Sequence, residues 1–379
     1  MKSHKTFFLT VAVVAVASAL WFSYKKLTDR EIYIEPIAVL DTGCGQGVAG
    51  AVGGLLEDGV FVLGGCNFPE KGPADGGKKQ FYGNVWTLKN GENVWRERKD
   101  FVAPMAYGAI AYTTEGAAVI GGCNDAGASV AGTLYKPESD FGANAETLPD
   151  LPVAMDNFAS AAIADWIFVA GGNAAGTPTN RAYVLRLDRR EDGWLALPDF
   201  PGTPRVQPCA VCVKTSRGNA FVLIGGFYVE PETKAAILPR DALVYYIDEN
   251  VWEKLPALTD DVSEAGLVGA AATINPRGQI AIFGGVNATI FKNAVEGKYG
   301  KDYLRHEPEW YRFNSDVLRL SVSGDETWHV IENVPETARA GATIIKLDDA
   351  DYSYLYINGE SMPGVRSSDV FKINFKKGY

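Results

Sequence analysis

Val169-Ala170-Gly171-Gly172-Asn173, an apolar strand end running into two glycines, decides the fold because it recurs along the chain. It appears as Val62-Leu63-Gly64-Gly65-Cys66, Val119-Ile120-Gly121-Gly122-Cys123, Leu223-Ile224-Gly225-Gly226-Phe227 and Ile282-Phe283-Gly284-Gly285-Val286. A degenerate sixth copy is Tyr356-Ile357-Asn358-Gly359-Glu360. The first residues of successive pairs are 57, 50, 54, 59 and 74 positions apart. Glycines at a strand end let the chain turn where a Cβ would clash.

Each copy has the same surroundings. Upstream lies a small-residue strand, such as Tyr107-Gly-Ala-Ile-Ala-Tyr112 or Ala340-Gly-Ala-Thr-Ile-Ile345. Downstream come strands such as Asn84–Leu88, Ala242–Ile247 and Asp316–Leu320, then a Trp and a Pro-containing turn at Trp95, Trp194, Trp252 and Trp328. The second copy has Ala145-Glu-Thr-Leu148 where a Trp is expected. Four strands per repeat at a period of roughly 50 residues make an all-β chain, a six-bladed kelch-type β-propeller. The sixth repeat stops after its third strand, Val370–Phe375, while Ile32–Ile37 precedes the first repeat with no repeat of its own. This N-terminal strand is expected to supply the outer strand of the last blade and remove an open edge.

The 379 residues include 41 Gly, 17 Tyr, 18 Phe and 8 Trp, a mixture suited to short strands and tight turns. A net charge of −10 and no basic block exclude nucleic acid as a partner. Lys2 and Lys5 precede an apolar stretch from Phe7 to Tyr24, with Ala17-Ser18-Ala19 as a small-residue cleavage motif and Lys25-Lys26 behind it. Residues 1–27 are therefore read as a signal peptide or an N-terminal membrane anchor, and 28–379 as the propeller. Both readings export the domain, to the periplasm or to the outer side of the membrane that anchors it. Cys209-Ala-Val-Cys212 has redox-motif spacing. In a strand, however, i and i+3 face opposite ways, so no local disulfide is expected and the pair reads as core.

Gly45-Gln-Gly47-Val-Ala-Gly50 has the letters of a dinucleotide fingerprint without a strand–helix–strand context. Three histidines, one of them in the export segment, do not build a metal site, and no metal or cofactor is expected. Asn287-Ala-Thr289 matches a glycosylation acceptor by chance. The long insertion from Asn287 to Asn314 is aromatic and charged, and a smaller one spans Asn67–Lys79. Insertions on one face of a scaffold tend to carry function. Glu360 stands out because the residue after the pair is otherwise Cys, Cys, Asn, Phe or Val; Arg366 returns over a short turn. Arg205 opens an inner strand at the same end of its blade.

On these segments the chain resembles the kelch-propeller N-acetylneuraminate epimerases, or sialic acid mutarotases. Ile357-Asn-Gly-Glu-Ser-Met-Pro-Gly-Val-Arg366 with Asp369-Val-Phe371 is similar to the family's catalytic stretch. Gly284–Phe291, Gly64–Pro69 with Gly76–Lys79, and Pro204-Arg-Val-Gln207 resemble other family segments, in an order that looks cyclically permuted. The resemblance implies Glu360 as proton acceptor and Arg366 as the essential arginine on the substrate carboxylate. It departs at Met105, where the family has an arginine. The expected substrate-binding residues are Arg205, Gln207, Lys79, Asn287 and Tyr303, with Tyr311 also near the pocket. The activity implied is cofactor-free interconversion of the α and β anomers of sialic acid by a monomer. The rivals are another acidic or N-acetylated sugar, or a non-enzymatic module that binds glycan or protein.

Overall fold

The computed structural model describes residues 30–99, 102–138, 140–324, 326–348 and 351–376. Residues 1–27, expected to be a signal peptide or membrane anchor, lie outside them. Among the described residues, no helix is long and apolar enough to cross a membrane.

The Gly-Gly copies each end the second strand of a four-stranded antiparallel sheet, and the described residues form six such sheets. Their inner strands are Val52–Leu56, Ala109–Tyr112, Ala159–Ile163, Cys209–Thr215, Ala271–Ile274 and Thr343–Asp348. Five sheets are continuous in sequence. The sixth takes its outer strand from the other end of the chain, Ile32–Pro36 pairing with Val370–Phe375 from Ile32↔Phe375 to Pro36↔Phe371.

The second strands read as unbroken apolar runs because both of their faces are covered. In Gly59–Leu63 every residue is buried. Val60 and Val62 pack with Ile345, Leu355 and Ile357 of the sixth sheet, while Phe61 and Leu63 pack with Val119 and Tyr135 of the second. Further clusters fill the spaces between the second and third, third and fourth, fourth and fifth, and fifth and sixth sheets. The core is thus six layers in cyclic order, an arrangement consistent with a β-propeller. The tryptophans tie the layers at the rim. Trp95, Trp194, Trp252 and Trp328 donate Nε1–H to the carbonyls of Ala38, Pro149, Pro198 and Pro256, each just past the outer strand of the preceding sheet.

Two sets of backbone hydrogen bonds run around the centre. The second residue of each Gly-Gly pair donates to the next sheet: Gly65 to Met105, Gly122 to Met155, Gly172 to Arg205, Gly226 to Leu267, Gly285 to Arg339 and Gly359 to Val48. Two residues beyond each acceptor lies a residue of positive φ: Tyr107, Asn157, Gln207, Gly269, Gly341 and Gly50. These six form a closed circuit in which each N–H donates to the carbonyl of the one before, from Tyr107→Gly50 at 2.8 Å to Gly50→Gly341 at 3.0 Å. Asn358 replaces the first glycine of the last pair at φ 53°, and its amide donates to the carbonyls of Leu40 and Ser367. Asn is the residue that tolerates this conformation through its own side-chain bonds.

The requirement for glycine is testable within one repeat. Gly171 (φ 74°) approaches the next sheet so closely that a Cβ would lie 2.8 Å from the Arg205 carbonyl oxygen, whereas a Cβ on Gly176 (φ 78°) meets nothing within 4 Å. Gly176→Ala should cost only the left-handed penalty, about 1–2 kcal/mol. Gly171→Ala adds a clash with rigid backbone and should cost about 3 kcal/mol or more in urea unfolding. Equal losses would remove the contact between sheets as the reason for the motif.

Candidate functional site

The backbone circuit has side chains on one half only: Tyr107, Asn157 and Gln207 are consecutive, and Gly341, Gly50 and Gly269 complete it. All six line a cavity of ≈ 370 Å³. Phe291, Tyr303 and Phe313 from the long insertion, with Phe158, Pro363 and Glu360, contribute to the wall. A second cavity of ≈ 350 Å³ continues along the inner strands and shares Ala51, Gly108, Pro208 and Ala342 with the first. Its lining is mainly alanine and aliphatic strand residues.

The insertion folds as the helix Ala288–Val295, a 3-10 turn Gly300–Arg305 and the short helix Pro308–Tyr311. Tyr299, Tyr303, His306, Trp310 and Tyr311 pack on one another, and His306 stacks on Trp310 at 3.8 Å. Arg305 donates to the Ala74 carbonyl and pairs with Asp75, so the two insertions meet beside the turn that follows Glu360.

That turn is a small hairpin, Glu360–Met362 paired with Val365–Arg366, and Glu360 also exchanges backbone bonds with Ala340 at the start of the sixth inner strand. Glu360 and Arg366 face each other in register, with Glu360 Oε2 2.6 Å from Arg366 Nη1. Burial pushes the Glu360 carboxyl above its ordinary value, against the opposing pull of Arg366 and Lys79. Burial works against the Arg366 charge, but Glu360, Tyr107 and Cys66 outweigh it and hold the guanidinium more firmly protonated. Arg366 sits behind Glu360, almost fully buried and with its Cζ 5.2 Å from the Phe68 ring centre; it is not part of the cavity lining. Its Nε and Nη1 have no well-aligned hydrogen-bond partner, so the ion pair to Glu360 is close but leaves donor capacity unspent.

Lys79 comes from the smaller insertion. Its Nζ donates to the Tyr107 hydroxyl at 3.1 Å and lies 4.9 Å from that ring's centre. The buried Cys66 thiol donates to the same oxygen at 3.1 Å, and burial raises its pKa. Glu360, Arg366, Lys79, Tyr107 and Cys66 therefore form one group where the sixth, first and second sheets meet. Its two cations and one carboxylate leave a positive balance in a chain of net charge −10. Tyr303 faces the same cavity, its hydroxyl pKa raised by burial and then by the Glu360 charge.

Glu360, Gln207 and Tyr303 thus line one cavity, and Arg366 and Lys79 hold its wall residues Glu360 and Tyr107 from outside the lining. Two expected residues do neither. Arg205 is 3% exposed, and its guanidinium is spent on Asp241 Oδ1 at 2.6 Å and on the Gly225 carbonyl, inside its own sheet. Arg339, at the same place in the sixth sheet, does the same with Asp369 and the Asn358 carbonyl. Both arginines tie an inner-strand entry to the Gly-Gly turn and the third strand; Met105 holds this position in the second sheet. Asn287 is also buried, its oxygen capping the helix Ala288–Val295 at Ile290 N–H and its amide donating to Glu264. Tyr311 lies 1% exposed beneath Tyr303, donating its hydroxyl to the Tyr303 carbonyl. Cys209 and Cys212 lie in one strand, and all five cysteines are free thiols.

Sequence reasoning missed Tyr107 and Asn157. Their signal was available, because aligning the residue two places after each inner-strand entry gives Gly50, Tyr107, Asn157, Gln207, Gly269 and Gly341, a column of glycines interrupted by three side chains.

Fold and site together define a cyclic array of β-sheets around a central cavity, with Glu360 in the wall and Arg366 paired behind it. A family model described as N-acetylneuraminate epimerase matches residues 148–378, and the chain belongs to this family. Similar proteins include the N-acetylneuraminate epimerases of Haemophilus influenzae (strain 86-028NP), 31% identical over 248 residues, and of Brucella melitensis biotype 1, 30% identical over 247. The matches cover 62% of this chain and 61% and 60% of those proteins. The chain therefore spans under two thirds of the curated relatives it matches. The solved structure of YjhT superposes with a TM-score of 0.51 at 25% identity, over 60% of this chain and 64% of that one.

The reassignment of Arg205 carries a prediction. Arg205→Ala would leave Asp241 with only Lys254 as cation and should lower unfolding stability by about 3 kcal/mol. The affinity of the folded variant for a cavity ligand should stay within about threefold of wild type, as calorimetry would measure, since one tenfold step already corresponds to 1.4 kcal/mol. A large affinity loss with unchanged stability would return Arg205 to the binding site.

Proposed function

We propose that this protein is a sialic acid mutarotase, an isomerase that interconverts the α and β anomers of N-acetylneuraminate, built on a six-bladed propeller closed by the strand Ile32–Pro36. The pairing at 2.6 Å of Glu360, in the cavity wall, with Arg366 behind it carries the reading. The names of the similar epimerases support it. Mutarotation needs a base for the anomeric hydroxyl, an acid for the ring oxygen, and no net redox change. Glu360 is the base. Its raised pKa makes it a stronger acceptor than an exposed carboxylate, and Arg366 behind it fixes its orientation. The positive balance of Arg366 and Lys79 against Glu360 suits an anionic sugar. Polar groups of Asn157 and Gln207 on the floor, with Phe158, Phe291 and Phe313 around them, suit a ligand with both hydroxyls and an apolar face.

A domain acting outside the cytoplasm fits the apolar segment at residues 7–24. A circular shift relative to the relatives accounts for a family match that begins only at residue 148 although the first two sheets share the architecture of the rest.

Two measurements test the reading. In a proton NMR time course with α-N-acetylneuraminate freshly released by a sialidase, the purified domain should speed appearance of the β anomer over buffer. Glu360→Gln should lose at least about a hundredfold in rate while still binding the sugar. A folded Glu360→Gln protein with wild-type turnover would reject the base. The base works only when ionised, so kcat/KM should fall as pH drops through the raised Glu360 pKa, with the inflection above 4.5. An inflection at or below 4.5 would show an ordinary solvated carboxylate. Arg366→Ala should lower activity mainly through kcat by releasing Glu360; a pure loss of affinity would instead mark Arg366 as the carboxylate clamp.

A further inference from the structure

We infer that Tyr107 is the general acid of the ring-opening step, held by Lys79. The inference rests on the mutarotase reading and adds to it the partner that Glu360 needs.

Tyr107 occupies a position where side chains are disfavoured. It is one of the six residues of the central circuit, at φ 58°, and three of the other five are glycine. A bulky residue in the left-handed region is a backbone outlier, and such outliers persist where the surroundings over-determine them. Here the surroundings are visible. The ring lies over Gly50, where a Cβ would come within 2.6 Å of Tyr107 Cδ1. The glycine on one side therefore exists to admit the tyrosine on the other, and the phenol is aimed rigidly.

Its oxygen is prepared for donation. Lys79 Nζ and Cys66 Sγ, both 3.1 Å away, each donate to it. A phenolic oxygen accepts through its lone pairs and has one proton to give. With two donors on the oxygen, the proton is left to point at an acceptor, and the residue lines the same cavity as Glu360. Burial keeps the phenol protonated well above its ordinary range, so it enters the reaction as an acid, not a phenolate. The ionisable groups around it are Lys79, Cys66, Arg366 and Glu360. The cations Lys79 and Arg366 stabilise the phenolate that forms when the proton leaves. Tyr303 lines the cavity from the insertion and faces the Glu360 charge, which opposes a phenolate there.

The step balances. Glu360 takes the proton of the anomeric hydroxyl as its oxygen forms the carbonyl of the open ketone. The bond between the anomeric carbon and the ring oxygen breaks, and its electron pair goes to the ring oxygen, which receives the Tyr107 proton. After the carbonyl presents its other face, the hydroxyl re-adds, returning its proton to Tyr107 while protonated Glu360 returns its proton to the new anomeric oxygen.

Two substitutions at one position separate chemistry from folding. Tyr107→Phe keeps the ring and removes the proton; Tyr107→Gly supplies the residue that three other sheets use here and relieves the backbone. Wild type, both variants and Lys79→Met are compared by NMR anomer exchange with N-acetylneuraminate, and binding by calorimetry. Tyr107→Phe should lose about a hundredfold or more in kcat with KM within threefold. Tyr107→Gly should unfold at an equal or higher temperature than wild type and be as inactive. Lys79→Met should fall between Tyr107→Phe and wild type in kcat. An active wild type whose Tyr107→Phe variant keeps full kcat would overturn the acid assignment alone, leaving Glu360 and the mutarotase reading standing. A wild type that does not accelerate exchange, while binding the sugar or not, would overturn both.

Discussion

Everything in this structure hangs on the circuit of six backbone hydrogen bonds through Gly50, Tyr107, Asn157, Gln207, Gly269 and Gly341. Each link requires an inner strand to enter the centre with one residue at positive φ, its N–H directed at its neighbour's carbonyl. A buried backbone group without a partner costs about as much as a lost hydrogen bond. A sheet displaced from the ring would break a link on each side, so the circuit sets both the number of sheets and their spacing. The Gly-Gly crossings repeat the same closure one layer out, ending with Gly359 on Val48.

The circuit also creates the site. Six strands that converge without filling the axis leave a cavity above the ring, and the ring residues become its floor. Because the six positions are equivalent in backbone, chemistry depends only on which ones carry side chains. The second, third and fourth sheets supply Tyr107, Asn157 and Gln207; the fifth, sixth and first supply space. The cluster of ionisable side chains sits at the border between these halves. Glu360 and Arg366 come from the sixth repeat, Lys79 and Cys66 from the first, and Tyr107 from the second. Joining the two chain ends through Ile32–Pro36 is what makes the sixth and first sheets neighbours.

Arginine positions show how one local pattern serves two purposes. Arg205 and Arg366 are both buried and both paired with a carboxylate. Arg205 spends Nη1 on the Gly225 carbonyl and Nη2 on Asp241, fastening strands of its own sheet, and only its Nε lacks an aligned partner. Arg366 keeps Nε and Nη1 without an aligned partner, next to a carboxylate that reaches the cavity. An ion pair enclosed within its own sheet is structure; one whose carboxylate lines a cavity is placed to meet a ligand.

The repeating glycine pairs, the tryptophans after the third strands and the lone carboxylate at Glu360 were legible from the sequence alone. Each reflects a local constraint: a backbone conformation, a rim contact between sheets, a break in a column of repeats. The match of Glu360 with Arg366 was legible for the same reason, since a seven-residue hairpin brings them face to face without help from the rest of the chain. What only the tertiary structure decided is which distant residues share the cavity. Arg205 and Asn287 carry polar groups that look available in sequence, yet packing turns both inward to satisfy backbone and neighbouring carboxylates. Tyr107 looks like the first residue of a plain small-residue strand, and becomes part of the site because ring closure carries its hydroxyl to Lys79 and Cys66, 28 and 41 residues away. Sequence records the demands a residue makes on its own backbone; only closure of the ring decides which residues from different repeats meet at its centre.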